Sequence, residues 1–313
     1  MKPKCSEAEF ITLFETMGAS AMADHLGTPE RGIYARRRFI EKQIGRVLVP
    51  PRDRQKRMAV DHPGKIDLQI RDGVVLIGSD AHYWPGEPST AHKAFVKFCK
   101  EFRPKAVILN GDVLDGATIS RHQPIGWEDR PSLKDELAVV KDRLDEITVA
   151  AGKARRIWTL GNHDSRFESR LASVAPEFAR VNGVHLKDHF PDYEPCWMVV
   201  INDEVVVKHR YRSGIHAPWN NTINAGKTII TGHLHSQKVY PFDDYNGTRW
   251  GVDSGTMADP YGPQFADYTE LSPVNWRSGF AVLTFIAGEL LQPEVVRVVR
   301  RGEVDFRGQL VKV

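Results

Sequence analysis

Apolar residues recur at helical spacing near the start of the chain and at strand spacing further on. Phe10, Leu13, Phe14 and Met17 share one face of a helix spanning residues 7–17. Gly18 breaks it, and residues 19–26 form a second, short helix that Gly27 stops. Thr28 is a good N-cap, and Pro29 suits the first helical position, where its missing N–H costs nothing. The spacing then predicts a third helix running toward Leu48, with Ile33, Ile40, Ile44 and Leu48 on one side and arginines around the rest. Val49-Pro50-Pro51-Arg52-Asp53-Arg54 places two prolines before charge and reads as a linker. These patterns divide the chain into a helical module over 1–48, a linker over 49–64 and a larger body over 65–313.

In the body the period changes. Residues 65–70 and 74–78 read as strands flanking Arg71-Asp72-Gly73, the signal of a hairpin. Residues 89–102 form a helix with Ala94, Phe95, Phe98 and Phe102 inward, and 106–110 a short buried strand. Leu133, Leu137, Val140, Leu144 and Ile147 define another amphipathic helix, 156–160 a strand and 165–181 a helix. Strands then dominate, at 197–201, 204–208, 228–231, 250–253, 280–286 and 294–299. Alternation first and strands later predict an α/β body of two sheets flanked by helices, preceded by a small all-α module.

Composition narrows the class. Over 313 residues, 27% charged and 41% hydrophobic exclude bulk disorder and collagen-like or mucin-like chains. No apolar run approaches the roughly 18–20 residues of a membrane span. The opening MKPKCSEAEF carries acid where a signal peptide would place its apolar core, so a cytoplasmic protein is expected. Cys5, Cys99 and Cys196 form no CxxC pair and suit a reducing compartment. The net charge of +3 hides an asymmetry: residues 31–57 hold ten cations and two acids, a charge of +8, which leaves −5 for the remainder. That split is either a solvated arginine-rich helix and linker or a module for a polyanion.

The chemistry sits where buried strands end. Val74-Val75-Leu76-Ile77 runs into Ser79-Asp80-Ala81-His82, and Ala106-Val107-Ile108-Leu109 into Asn110-Gly111-Asp112-Val113-Leu114-Asp115. Ile157-Trp158-Thr159-Leu160 runs into Gly161-Asn162-His163-Asp164, Val205-Val206-Val207 into Lys208-His209, and Thr228-Ile229-Ile230 into Thr231-Gly232-His233-Leu234-His235. Loops at the carboxyl ends of strands are where α/β proteins build sites. Asp, His and Asn converging there supply oxygen and imidazole donors for divalent transition metals. Seven such ligands are too many for one tetrahedral ion; they suit two ions bridged by a carboxylate, able to make hydroxide at neutral pH and orient a phosphate.

The ordered set Asp-x-His, Gly-Asp-x-x-Asp, Gly-Asn-His-Asp, His and Gly-His-x-His resembles the calcineurin-like metallophosphoesterase superfamily. The resemblance implies a two-sheet sandwich with a dinuclear site. By motif, Asp80, His82 and His235 resemble ligands of one ion, Asn162, His209 and His233 ligands of the other, and Asp112 the bridging carboxylate. His163 is similar to the family's non-ligand histidine, and Asp164 would orient its ring. The implied mechanism is attack on phosphorus by a metal-bridged hydroxide, with His163 as general acid. Two divalent ions are implied, Mn²⁺ foremost, with Fe, Zn, Ni or Mg as alternatives. Two departures matter. His209 is followed by Arg210 instead of the usual glycine, which leaves nearby His216 as an alternative ligand. Asp115 is followed by glycine instead of the Arg or Asn of phosphoprotein phosphatases, which argues against the Ser/Thr phosphatase branch.

Arg121, His122 and Arg166 are candidates for holding substrate phosphate, and the stretches around them are similar to metallophosphoesterases encoded by phages and prophages. A phage-encoded enzyme would work in host cytoplasm. Residues 19–45 resemble a helix-turn-helix: Ala23, Gly27 and Ile33 stand at its spacing, and the helix after Pro29 offers Arg31, Arg36, Arg37, Arg38 and Lys42 to a DNA groove. Arg36 departs from the motif, which usually has an apolar residue there. Three functions follow: a metal-dependent phosphoesterase acting on DNA as a nuclease or end-processing enzyme; a small-nucleotide phosphodiesterase or phosphatase; or a DNA-binding or scaffold protein with a vestigial metal site.

Overall fold

In the computed structural model, which describes residues 4–46, 48, 50, 64–121, 126–179, 181–270 and 272–313, the chain divides into two units, 1–61 and 62–313. Apart from Pro50 and Gly64, the predicted linker over 49–64 lies outside the described residues, as does His122.

The first unit is built from α1 (Glu7–Leu26) and α2 (Glu30–Ile44). Ser6 caps α1 by accepting from the Glu9 N–H, and the predicted break is a kink at Gly18, whose φ of 75° leaves the helical region. Gly27 ends α1 at φ 55°. Phe10, Phe14, Met22, Ile33, Ile40 and Leu48 are buried together. Two expectations fail locally. Thr28 does not cap α2; its hydroxyl donates to the Leu26 carbonyl, and Pro29 takes the cap position. Ile44 is 40% exposed, because α2 stops at Gly45 and the chain turns to bring Leu48 inward.

In chain order the second unit contains β1 (Lys65–Leu68), β2 (Gly73–Gly78), α3 (Thr90–Phe102), β3 (Ala106–Asn110), α4 (Leu133–Ala151), β4 (Arg155–Thr159), α5 (Asp164–Val174), α6 (Leu186–His189), β5 (Glu194–Cys196), β6 (Met198–Ile201) and β7 (Val205–Val207). It continues with α7 (Ala217–Ala225), β8 (Thr228–Thr231), β9 (Lys238–Asp244), β10 (Gly247–Asp253), α8 (Ala266–Thr269), β11 (Gly279–Ile286), β12 (Glu289–Leu290), β13 (Glu294–Arg300), β14 (Glu303–Phe306) and β15 (Gln309–Lys312). Among the described residues these strands form two sheets, ordered β1-β6-β7-β8-β10-β9 and β15-β14-β13-β11-β2-β3-β4-β5, with β12 against β11. The predicted two-sheet α/β architecture is therefore the one observed.

Strand alternation builds the layers. In β2, β3 and β11, Val75, Ile77, Ala106, Ile108, Ala281 and Leu283 face the other sheet, where Val199, Ile201, Val207 and Ile230 meet them. Their neighbours Leu76, Val107, Leu109, Phe280 and Val282 face outward and are covered by Phe95 and Phe98 of α3 and Val140, Leu144 and Ile147 of α4. Each such burial contributes roughly 1.5–3 kcal/mol. Strands covered on both faces read as continuous apolar runs, and β2 to β5 run parallel to match.

The predicted hairpin over residues 65–78 does not form. β1 pairs in parallel with β6, whereas β2 pairs with β3 and β11 in the other sheet. Leu68 and Val75 are both buried between the sheets, so the turn carries the chain across the sandwich instead of folding it back. The helix predicted over 165–181 ends at Val174, ahead of Pro176, whose ring disfavours helix in the preceding residue. No helix among the described residues is long and apolar enough to cross a membrane.

Candidate metal centre

The carboxyl ends of β2, β3 and β4 in one sheet and of β7 and β8 in the other meet at one edge of the sandwich. Backbone bonds tie their loops: Asp80 N–H donates to the Gly111 carbonyl, His82 N–H to that of Asp112, and Gly232 N–H to that of His209, each at 2.9 Å. Asp80, His82, Asp112, His233 and His235 all adopt left-handed φ, from 39° to 71°. Residues with a Cβ take such conformations at a cost of about 1 kcal/mol or more each, and such strain clusters at functional sites. Two motif glycines are fixed by close approach. A Cβ on Gly161 would strike the Asp112 carboxylate, and one on Gly232 the Asp80 carboxylate.

The sequence-predicted ligands come together around these turns. Asp80 is fully buried; it accepts the His233 backbone N–H at 2.9 Å and faces His235 Nε2 at 3.1 Å. Asp112 Oδ1 accepts the His163 backbone N–H at 2.8 Å, which leaves Oδ2 3.1 Å from His209 Nε2. His209 Nδ1 donates to the Asn110 carbonyl at 2.8 Å, and this turns Nε2 toward both carboxylates. Burial works against charge on His209, but Asp112 and Asp80 hold its proton up to about 10. Asp80 is held below the ordinary carboxylate value in spite of its burial, by His235 and His209.

His82 Nε2, His235 Nδ1 and Asn162 Oδ1 are buried and have no hydrogen-bond partner, and His209 Nε2 faces only the two carboxylates. Buried polar atoms are ordinarily bonded, so three unpartnered around one cluster fit ligation of cations. Three overlapping sets have ligand atoms within 4.8 Å of one another: Asp80, His82 and His235; His82, Asp112 and His163; Asp112, His209 and His233. Asp112 thus lies between the two ends of the cluster. The structure places His209 in it and leaves His216 exposed at the start of α7.

Asp164 does not orient His163, which corrects the sequence reading. Its buried carboxylate accepts from the N–H groups of Asp112, Val113, Leu114 and Gly161 and from Trp158 Nε1, at 2.8–3.1 Å. It clamps the loops after β3 and β4 to each other. Asp115 takes the orienting role. His163 Nδ1 donates to the Asp115 carbonyl at 2.8 Å and lies 3.2 Å from its carboxylate, which also faces His82 Nδ1 at 2.9 Å. Despite burial, these two rings hold the Asp115 carboxyl far below its usual range. Behind it, Glu136 of α4 accepts from the Gly116 and Ala117 N–H groups at 2.7 and 3.0 Å.

Two clefts open from the cluster, and Asn162 and His233 line both. One, of ≈ 500 Å³, is lined by Arg121 and Arg166 and also by Arg170 and Arg210. The other, of ≈ 540 Å³, reaches His82, Asp112, His163 and His235 and has an aromatic wall that includes Trp84, Phe265, Tyr268 and Trp276. Sequence reasoning missed Arg170, although Arg166 and Arg170 stand one helical turn apart. Trp84 lies far in sequence from Phe265, Tyr268 of α8 and Trp276, so the aromatic wall carries no local signal.

In the first unit, Arg31, Arg38 and Lys42 are exposed on α2. Arg36 and Arg37 differ from these three, because both are engaged within the unit. The Arg36 guanidinium donates to the Cys5 carbonyl at 2.6 Å and lies over the Phe10 ring. Arg37 pairs with Glu41 at 2.7 Å and lies over Phe14. The apolar position that Arg36 replaces is filled by its stem and ring contact.

No protein-family model matches the chain. The gene 54 protein of Mycobacterium phage L5 is 25% identical over 248 residues, which span 69% of this chain and 90% of that protein. Among solved structures, zinc-complexed Vps29 from Entamoeba histolytica aligns over 77% of this chain and 98% of its own, with a TM-score of 0.40 and 14% identity. A Saccharomyces cerevisiae serine/threonine phosphatase with similarity to human phosphatase PP5 aligns over 84% of this chain and 96% of its own, with a TM-score of 0.37 and 14% identity. In sequence, this chain is similar to a phage-encoded protein.

Proposed function

We propose that this chain is a calcineurin-like metallophosphoesterase that hydrolyses phosphodiester bonds in DNA, as a nuclease or end-processing enzyme. The observation that carries the reading is Asp112, buried between two sets of histidine and asparagine donors, three of them unpartnered, at five strand ends. Asp80, His82 and His235 would hold one divalent ion and Asn162, His209 and His233 the other, with Asp112 between them. Oxygen and imidazole donors of this mix suit Mn²⁺. Bound there, the ions would supply an activated water and offset the charge on phosphate.

The rest falls to the chain. Asp115 fixes the His163 ring with Nε2 toward the cleft. In the observed arrangement Arg166 donates to that nitrogen at 3.1 Å, so the ring carries its proton on Nδ1. Burial opposes a second proton, but Asp115 and Asp112 favour it. With both nitrogens protonated and Arg166 turned to the phosphate, His163 gives the Nε2 proton to the leaving oxygen. The exposed Arg31, Arg38 and Lys42 support a DNA-facing role for the first unit.

The test is a panel of single- and double-stranded DNA, a cyclic nucleotide and bis(p-nitrophenyl) phosphate, with the full chain and Mn²⁺. DNA cleavage abolished by chelator is expected. Cyclic-nucleotide hydrolysis with DNA left intact contradicts the DNA assignment, and inactivity on every substrate contradicts the phosphoesterase reading.

A further inference from the structure

The two clefts that meet at the candidate metal centre differ in chemistry. Arg121, Arg166, Arg170 and Arg210 line the first, and among the described residues no carboxylate does. Among the described residues Arg121, Arg170 and Arg210 make no ion pair. Ser165, Ser169 and Ser173 line the same cleft at intervals of four along α5, so successive hydroxyls share a face and rise by about 6 Å. One phosphate at the metal centre would engage Arg166 and leave the other cations unused. Crowded cations without acid partners are the footprint of a polyanion.

The second cleft shares Arg166 and adds Arg130, which pairs with Glu128, but its remaining wall is aromatic and acidic. Trp276 packs on His235 with ring centroids 4.5 Å apart, and Tyr268 stacks on Trp276 at 6.2 Å and 21°. Tyr268 is 79% exposed, so its ring offers a face to a flat ligand. Beyond the rings stand the exposed acids Asp129, Asp267 and Glu270, which repel a further phosphate.

Resting on the phosphoesterase reading above, we propose that the two clefts are one path for a single-stranded oligonucleotide cut at its end. The strand's phosphates lie along the arginines. The terminal base stacks at Tyr268 and Trp276, and the acidic rim stops the chain there. The scissile bond is then the last phosphodiester of the strand. Water adds across its P–O bond, with the oxygen going to phosphorus and a proton to the leaving oxygen. A single strand fits because its bases are free to stack on aromatic side chains.

The test uses the full chain with Mn²⁺, a short labelled single strand, the same strand as duplex, a phosphopeptide, and bis(p-nitrophenyl) phosphate as a generic ester. The first labelled product is expected to be one nucleotide removed from an end. The double variant Arg170→Gln/Arg210→Gln should lower the ratio of kcat/KM on the strand to kcat/KM on the generic ester by about tenfold or more, with a shallower salt dependence. Tyr268→Ala should lower the same ratio about tenfold. Internal fragments appearing first, duplex cut as fast as single strand, preference for the phosphopeptide, or an unchanged ratio in both variants overturns the proposal. A wild-type chain inactive on strand and generic ester alike contradicts the phosphoesterase reading itself.

Discussion

His163 is held by Asp115, whose carbonyl accepts its Nδ1 proton at 2.8 Å while the Asp115 carboxylate faces the His82 ring at 2.9 Å. One residue therefore positions both the candidate acid and a candidate ligand. Asp115→Asn keeps the backbone carbonyl but removes the negative charge that both imidazoles face. It should lower kcat about 10–100-fold and weaken metal binding by about tenfold, because outer partners tune ligands on that scale. His163→Ala should instead keep its metal and lose about 100-fold or more in kcat. Metal content and steady-state kinetics on one generic diester separate the two; equal loss of metal in both variants contradicts the division of roles.

Asp164 serves the fold. Removing its carboxylate leaves four backbone N–H groups and the Trp158 indole without their acceptor. Asp164→Ala should cost about 3 kcal/mol or more in urea unfolding, since buried unsatisfied donors carry their full desolvation penalty. A change under about 1 kcal/mol would show the loops are held otherwise.

Glu136 gives a pH dependence with a definite sign. Burial, with Asp115 nearby, raises its carboxyl from 4.5 to about 7, against the pull of the Gly116 and Ala117 N–H groups. Between those values the folded chain holds a proton that the unfolded chain has lost. The group's contribution is fullest below about pH 4.5 and declines as pH rises through about 7. Glu136→Gln cannot titrate. Relative to the wild type, its unfolding free energy should rise by about 2 kcal/mol between pH 5 and 8. Parallel curves in chelated protein would contradict the shift.

The arginines of α2 should divide by orientation. Arg38→Ala should weaken binding to duplex DNA and reduce the salt slope by about one, with unfolding unchanged. Arg36→Ala should destabilise the first unit by about 1–2 kcal/mol through lost packing and the lost bond to Cys5. Equal effects of the two variants on DNA would contradict the division.

The sequence made the layers and the clustered Asp and His residues legible for the same reason. Strands covered on both faces are apolar throughout, and the first polar residues after each, such as Asp80, Asp112 and His209, fall at the sheet edge. What could not be read was pairing across distance. Arg71-Asp72-Gly73 looks local, yet the partners of β1 and β2 lie in different sheets. Asp164 follows His163 directly, but the backbone turns its carboxylate under the loops and leaves the ring to Asp115. The inward turn of Arg36 depends on Phe10 and Cys5, more than twenty residues away in sequence. The β9–β10 hairpin hides for another reason: no residue of β9 is fully buried and Pro241 interrupts it, so it lacks an apolar run.

The central claim is a pair of ions bridged by Asp112. Electron paramagnetic resonance of the chelated chain, reconstituted with Mn²⁺, tests it directly. The account predicts two ions per chain and the signal of a spin-coupled pair, lost in Asp112→Asn. A single uncoupled ion per chain, or coupling that survives Asp112→Asn, would contradict it.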